Sequence, residues 1–127
     1  MLKYWKSLLW AIIILVLLLL PGDKISQHKL FQIKHLDKVV HLFLFGVLQF
    51  LVLVEGGIYP RASRAGMLVL LYCILFAIAS ELLQFIPFTG RDPTVYDFLA
   101  DLAGLLCGGL ILRIAYKLKF LSYHPRY

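Results

Sequence analysis

Four long apolar runs, separated by short polar segments, make up most of the chain. They cover about residues 4–20, 36–54, 65–85 and 96–116. Each run is close to the ~20 residues that a helix rising 1.5 Å per residue needs to cross ~30 Å of hydrocarbon. The runs are continuously apolar, whereas strands of a transmembrane barrel alternate between lipid-facing and lumen-facing residues. The pattern predicts an all-α membrane protein, a bundle of four transmembrane helices.

The composition supports the same class. Of the 127 residues, 61% are hydrophobic and 16% are charged, which is far from the balance of a soluble globular protein. The first run follows Lys3 and Lys6 as in a signal peptide, but it ends at Pro21-Gly22 without a small-x-small cleavage site, so we predict a retained helix. With no linker or internal repeat, the chain is expected to form a single domain over residues 1–127.

The basic residues predict how the helices are oriented. The formal net charge is +6, and the basic side chains lie mainly between the apolar runs, where they favour membrane orientation over nucleic-acid binding. If both termini are cytoplasmic, that side carries eight Lys and Arg residues and the other side carries five. We therefore predict a multi-pass protein with both termini in the cytoplasm and no nucleic-acid partner.

The unusual polar residues all fall at the opposite, outward end of the predicted bundle. They are Asp37, Lys38 and His41 in helix two, Glu81 and Gln84 in helix three, Arg91 in the following loop, and Asp97 and Asp101 in helix four. Most are three or four residues apart within a helix, so they share one helix face. Gly104 and Gly108 continue the face of the two aspartates, and such a small-residue seam allows close helix packing.

Ionisable groups at this depth need partners. A carboxylate inside a membrane helix is costly unless it is paired, and the available cations are Lys38, Arg91 and His41. The set is either a ligand site or an ion-paired clamp that fixes helix register. Asp37 and His41, with the nearby acids, are residue types that could hold a metal, but no HExxH or CxxC motif is present. We predict neither a metal nor a cofactor.

The order of these residues resembles the VanZ-like family of small bacterial membrane proteins. The match consists of DKVVH at 37–41 with Phe45 and Gly46, ELLQ at 81–84, and Arg91, Thr94, Asp97, Ala100, Gly104 and Gly108. Asp101 stands where the resemblance leads us to expect Asn. The founding member is linked to resistance to teicoplanin, a lipoglycopeptide that acts at the outer face of the cytoplasmic membrane. The resemblance implies a protein of the bacterial cytoplasmic (inner) membrane that modulates the cell envelope or its interaction with teicoplanin.

Three functional hypotheses follow. In the first, the outward site binds a membrane lipid, a lipid-linked envelope component or the antibiotic, with Lys38 and Arg91 holding anionic groups. In the second, the protein is an intramembrane enzyme in which His41, oriented by Asp37, is the general base and Glu81 is the general acid. In the third, the charged residues only stabilise the bundle. The sequence does not predict an oligomeric state.

Overall fold

The chain forms four α-helices within residues 3–20, 35–58, 63–86 and 94–118, which are the parts that the computed structural model describes. The helices are α1 (Trp5–Leu19), α2 (Leu36–Gly56), α3 (Arg64–Gln84) and α4 (Val95–Lys117). The predicted all-helical class is confirmed, and each helix begins and ends within two residues of its apolar run. Arg91 lies outside the described residues.

Three of these helices are long and apolar enough to cross a membrane. They are α2, α3 and α4, with 21, 21 and 23 residues. α1 is apolar but has 15 residues, fewer than the ~20 of a full span. It stops because Leu20, which precedes Pro21, has extended backbone (φ −62°, ψ 134°), the conformation favoured before proline. The fourth span and the cytoplasmic position of both termini stay predictions.

α2 and α4 run parallel and share the most extensive helix contact of the bundle. Their backbones touch at glycines. A Cβ atom at Gly104 would overlap the carbonyl oxygen of Leu42, and one at Gly108 would overlap that of Gly46. A Cβ atom at Gly46 would lie 3.2 Å from the carbonyl oxygen of Gly104. Larger residues at these positions would push α4 away from α2, so the glycines set the helix separation.

α1 is held against α2 at two points. The side chain of Glu55, near the end of α2, accepts hydrogen bonds from the backbone N–H groups of Lys6 (3.0 Å) and Ser7 (2.9 Å) and from the Ser7 hydroxyl (2.5 Å). The residue preceding α1 provides no side-chain cap, so Glu55 supplies the missing acceptor from another helix. Further along, Trp10 Nε1 donates to the carbonyl oxygen of Leu44 at 2.9 Å. The two helices therefore run antiparallel.

The bundle has a small apolar core and an apolar outer surface. Ile14 and Phe45 are fully buried in the small apolar core. Phe43, Leu71 and Leu106 are more than half exposed on the outer faces of three different helices. An apolar surface of this kind is the arrangement expected for helices that face lipid.

Candidate functional site

A buried imidazole pairs with a buried carboxylate where α2 and α4 meet. His41 Nδ1 lies 2.9 Å from Asp101 Oδ1, within hydrogen-bond distance. The exposed fraction is 1% for His41 and 0% for Asp101. Asp101 lies one turn before Gly104, and His41 directly precedes Leu42, whose carbonyl oxygen touches Gly104. The glycine contact therefore brings the two polar side chains together.

A second carboxylate joins this pair from α3. Glu81 Oε1 lies 3.6 Å from His41 Nδ1, and Glu81 is 8% exposed. We call His41, Glu81 and Asp101 the His41 cluster. One potential ligand atom from each residue lies within 4.8 Å of the other two. Three different helices thus bring a nitrogen and two carboxylates to one buried point, and these are residue types that bind metals.

The His41 cluster contains acceptors that no described residue satisfies. Among the described residues, neither oxygen of Glu81 has a hydrogen-bond partner, and neither does Asp101 Oδ2. All three atoms are buried. Buried polar atoms in folded proteins are nearly always paired, because an unpaired one keeps its full desolvation cost. The cluster therefore has capacity for a proton, a cation or a ligand that donates hydrogen bonds.

A separate group of residues lies at the start of α4. Lys38 Nζ lies 3.0 Å from Asp97 Oδ1. Asp97 Oδ2 accepts from the Thr94 hydroxyl (2.6 Å) and the Thr94 backbone N–H (3.3 Å), and the Asp97 N–H donates to Thr94 Oγ1 (3.3 Å). We call Lys38, Thr94 and Asp97 the Asp97 clamp. It combines a capping box with an ion pair between α2 and α4, and both carboxylate oxygens have partners.

The other predicted site residues have different positions. Asp37 is exposed and forms no hydrogen bond to the described residues, so the hydrogen-bond partner of His41 is Asp101 and not the Asp37 of the enzyme hypothesis. Gln84 is buried (3% exposed) one turn after Glu81. Arg91 lies outside the described residues. Gly104 and Gly108 both face α2.

Three features of this arrangement are not in the sequence prediction. The TVYD segment at 94–97 has the spacing of a capping box, a signal that was present in the sequence. Gln49 is a polar residue in an apolar run and is 4% exposed, so its position alone could have marked it. The contact of Glu55 with Ser7 joins residues 48 positions apart, and no local pattern indicates it.

One protein family matches this chain over most of its length. A family model described as VanZ/LLP1 matches residues 3–116, a range that includes the His41 cluster and the Asp97 clamp. No curated protein and no solved structure matches the chain. The family match covers most of the 127 residues and confirms the resemblance seen in the sequence. With its long apolar helices, the chain is a membrane protein that belongs to the VanZ/LLP1 family.

Proposed function

We propose that this protein spans the bacterial cytoplasmic membrane four times and binds a component of the cell envelope at its outward polar end. The ligand is a lipid-linked envelope component or a lipoglycopeptide such as teicoplanin. Binding changes how the envelope responds to the antibiotic, and no chemical turnover is required. The proposal combines the family with the polar groups that gather at one end of α2, α3 and α4.

The observation that carries the proposal is the set of unpartnered carboxylate oxygens in the His41 cluster. A purely structural clamp is expected to satisfy its own buried atoms, as the Asp97 clamp does. Glu81 and Asp101 instead keep three oxygens without hydrogen-bond partners among the described residues. Such acceptors suit a ligand with hydroxyl, amide or amino groups, which sugars and peptides provide.

The position of Lys38 changes the expected mode of binding. In the sequence hypothesis, Lys38 holds an anionic group of the ligand. Its ammonium group instead pairs with Asp97, although 34% of the side chain stays exposed. We therefore propose that hydrogen-bond donors of the ligand, and not its phosphate, meet the buried cluster.

An intramembrane enzyme is the second candidate, and the contact between His41 and Asp101 favours it. A carboxylate 2.9 Å from the ring nitrogen can hold the imidazole in one orientation, as general bases require. Glu81 would act as the acid, and water would be the nucleophile. Mass spectrometry of lipids and peptidoglycan precursors tests this candidate. Turnover predicts a new or depleted species in cells with the wild-type protein and none in cells with His41→Gln.

Expression in a teicoplanin-susceptible bacterium tests the binding proposal. Cells would carry the wild type, Glu81→Gln, Asp101→Asn or the control Glu55→Gln, at membrane levels matched by quantitative blotting. We expect the wild type and Glu55→Gln to change teicoplanin tolerance or envelope composition, and the two cluster variants to lose most of that change. No effect of the wild type, or an undiminished effect of both cluster variants, would contradict the proposal.

A further inference from the structure

We infer that the His41 cluster is a binding site for one divalent transition-metal cation of the Zn²⁺ or Mn²⁺ kind, held by His41 Nδ1 and by one oxygen each of Glu81 and Asp101. This inference goes beyond the proposed function, because it assigns a resident cation and not the envelope ligand. It depends on the geometry and charge of the three metal-binding side chains and does not depend on the role that the protein has in the envelope.

The ligand types select the class of cation. An imidazole nitrogen with two carboxylates suits Zn²⁺, Mn²⁺ and related first-row ions. Ca²⁺ and Mg²⁺ prefer sites made of oxygen ligands, and Mg²⁺ usually retains several waters. Cu⁺ and iron–sulfur clusters prefer sulfur, and neither cysteine belongs to this cluster. The nitrogen of His41 therefore favours a first-row transition metal over Ca²⁺ or Mg²⁺.

The distances fit a metal after a small adjustment. Bonds of about 2.0–2.2 Å in a tetrahedral site place neighbouring ligand atoms about 3.3–3.6 Å apart. His41 Nδ1 lies 2.9 Å from Asp101 Oδ1 and 3.6 Å from Glu81 Oε1. The first distance is shorter than this range and the second lies at its upper end, while one ligand atom from each of the three residues lies within 4.8 Å of the other two. Three protein ligands would leave a fourth position for water or a ligand, as in open metal sites.

The unpartnered oxygens are a second, independent observation that points to a ligand at this cluster. Asp101 is completely buried, yet its Oδ2 atom has no hydrogen-bond partner among the described residues, and the same holds for both oxygens of Glu81. His41 can contribute at most one positive charge against two carboxylates. Lys38 is already paired with Asp97. A divalent cation would balance the two buried carboxylates, because His41 can bind it as the neutral imidazole.

A metal also leaves acceptors for the envelope ligand. It would take one oxygen from each carboxylate, and the second oxygens of Glu81 and Asp101 would remain available to hydrogen-bond donors. The fourth coordination position would provide an additional contact. A bound metal and a bound envelope ligand are therefore compatible at the same cluster.

Metal analysis of purified protein tests the inference. The full-length chain, without a polyhistidine tag, would be purified in mild detergent and treated with EDTA. It would then be incubated with ZnCl₂ or MnCl₂ alone, passed through a desalting column and analysed by plasma mass spectrometry. We expect about one metal ion per chain and a higher Tm with metal than with EDTA.

Matched variants locate the site. Glu81→Gln and Asp101→Asn each remove a ligand and should lose most of the bound metal and the metal-dependent rise in Tm. Glu55→Gln removes an acid at the other end of α2 and should retain both. Co²⁺ provides a spectroscopic check. The wild-type protein should show the visible absorption band of four-coordinate Co²⁺, and the cluster variants should lack this band.

The inference would be overturned if neither metal stays with the wild-type protein, a result that requires no variant to fold. It would also be overturned if folded Glu81→Gln and Asp101→Asn, checked by circular dichroism, bound as much metal as the wild type. The envelope role is measured separately in cells, so a protein that binds no metal but changes teicoplanin tolerance would disprove only this inference.

Discussion

Two glutamates in the apolar helices have opposite surroundings. Glu55, near the end of α2, accepts three hydrogen bonds from the start of α1. Glu81, near the end of α3, is 8% exposed and accepts no hydrogen bond from a described residue. The partners of Glu55 account for its presence, since it caps a helix. The surroundings of Glu81 provide only a 3.6 Å contact with His41 Nδ1 and no hydrogen bond. The described residues therefore do not account for a glutamate at this position.

The same contrast occurs within one turn of α4. Asp97 has partners for both oxygens, from Lys38 and Thr94. Asp101 has a partner for one oxygen and none, among the described residues, for the other. The polar residues that form one set in the sequence therefore form two units in the structure. In the Asp97 clamp both carboxylate oxygens have hydrogen-bond partners, whereas the His41 cluster contains carboxylate oxygens that have none among the described residues. Four substitutions, two of them paired with a milder comparison variant, test this division in order of decreasing expected effect.

Gly104→Ala should push α4 away from α2, and with it Asp97 and Asp101 away from Lys38 and His41. The new Cβ atom would overlap the Leu42 carbonyl oxygen, and backbone cannot move aside as a flexible side chain can. We expect a loss of about 3 kcal/mol in the free energy of unfolding, at the upper end of typical overpacking costs. Unfolding in mixed detergent micelles measures it.

Gly109→Ala is the matched control for this substitution. Among the described residues, no atom outside the adjoining helix backbone lies within 4 Å of a Cβ built at Gly109, so alanine should be neutral or stabilise the helix by up to about 1 kcal/mol. Equal losses for Gly104→Ala and Gly109→Ala would show that close contact between α2 and α4 does not stabilise the bundle.

Asp97→Ala should destabilise the protein by about 2 kcal/mol, because it removes both the capping box and the ion pair with Lys38. Asp97→Asn keeps an acceptor for the Thr94 hydroxyl and should cost less. Thermal unfolding of both variants in detergent measures the difference. Unchanged stability in Asp97→Ala would place Asp97 with the unsatisfied cluster.

Glu55→Ala should cost about 1 kcal/mol, a typical value for loss of a helix cap. The loss should be local to the first turn of α1, where Lys6 and Ser7 lose their acceptor. Hydrogen exchange of these amides should accelerate while the amides of α4 keep their protection. Protected Lys6 and Ser7 amides in Glu55→Ala would show that another group caps α1.

Glu81→Gln should have the smallest effect on stability, within about 0.5 kcal/mol of the wild type or slightly stabilising. The wild-type oxygens lack hydrogen-bond partners in the described part of the chain, so the amide loses no hydrogen bond there. The comparison is made in metal-free buffer containing EDTA. A loss as large as that of Asp97→Ala would identify Glu81 as part of a structural charge network.

Much of the architecture was predictable because its causes are local. Continuous apolar runs predict helices of nearly the observed length, and Pro21 accounts for the early end of α1. The alternating direction of the predicted helices places His41, Glu81 and Asp101 at the same end of the bundle, within one polar set. The small-residue spacing of Gly104 and Gly108 likewise marks the face that contacts α2.

The pairing of the charged residues was not predictable, since it depends on the separation and rotation of whole helices. Asp37 and His41 are four residues apart and are paired in the enzyme hypothesis, yet the ring of His41 contacts Asp101, 60 positions away. Glu55 and Ser7 are similarly joined across 48 positions. A helical period shows which residues share a face, but it contains no information about which other helix that face meets.

Hydropathy, helical period and residue order are properties of the chain alone, so they were sufficient to predict the class, the helices, the family and most of the buried polar residues. Which acids have hydrogen-bond partners depends instead on how the helices pack. Contact of the α2 and α4 backbones at glycine places Asp101 beside His41, while α3 adds Glu81. Whether a buried carboxylate stabilises the bundle or is left for a ligand depends on distances of a few ångströms between helices, which only packing fixes.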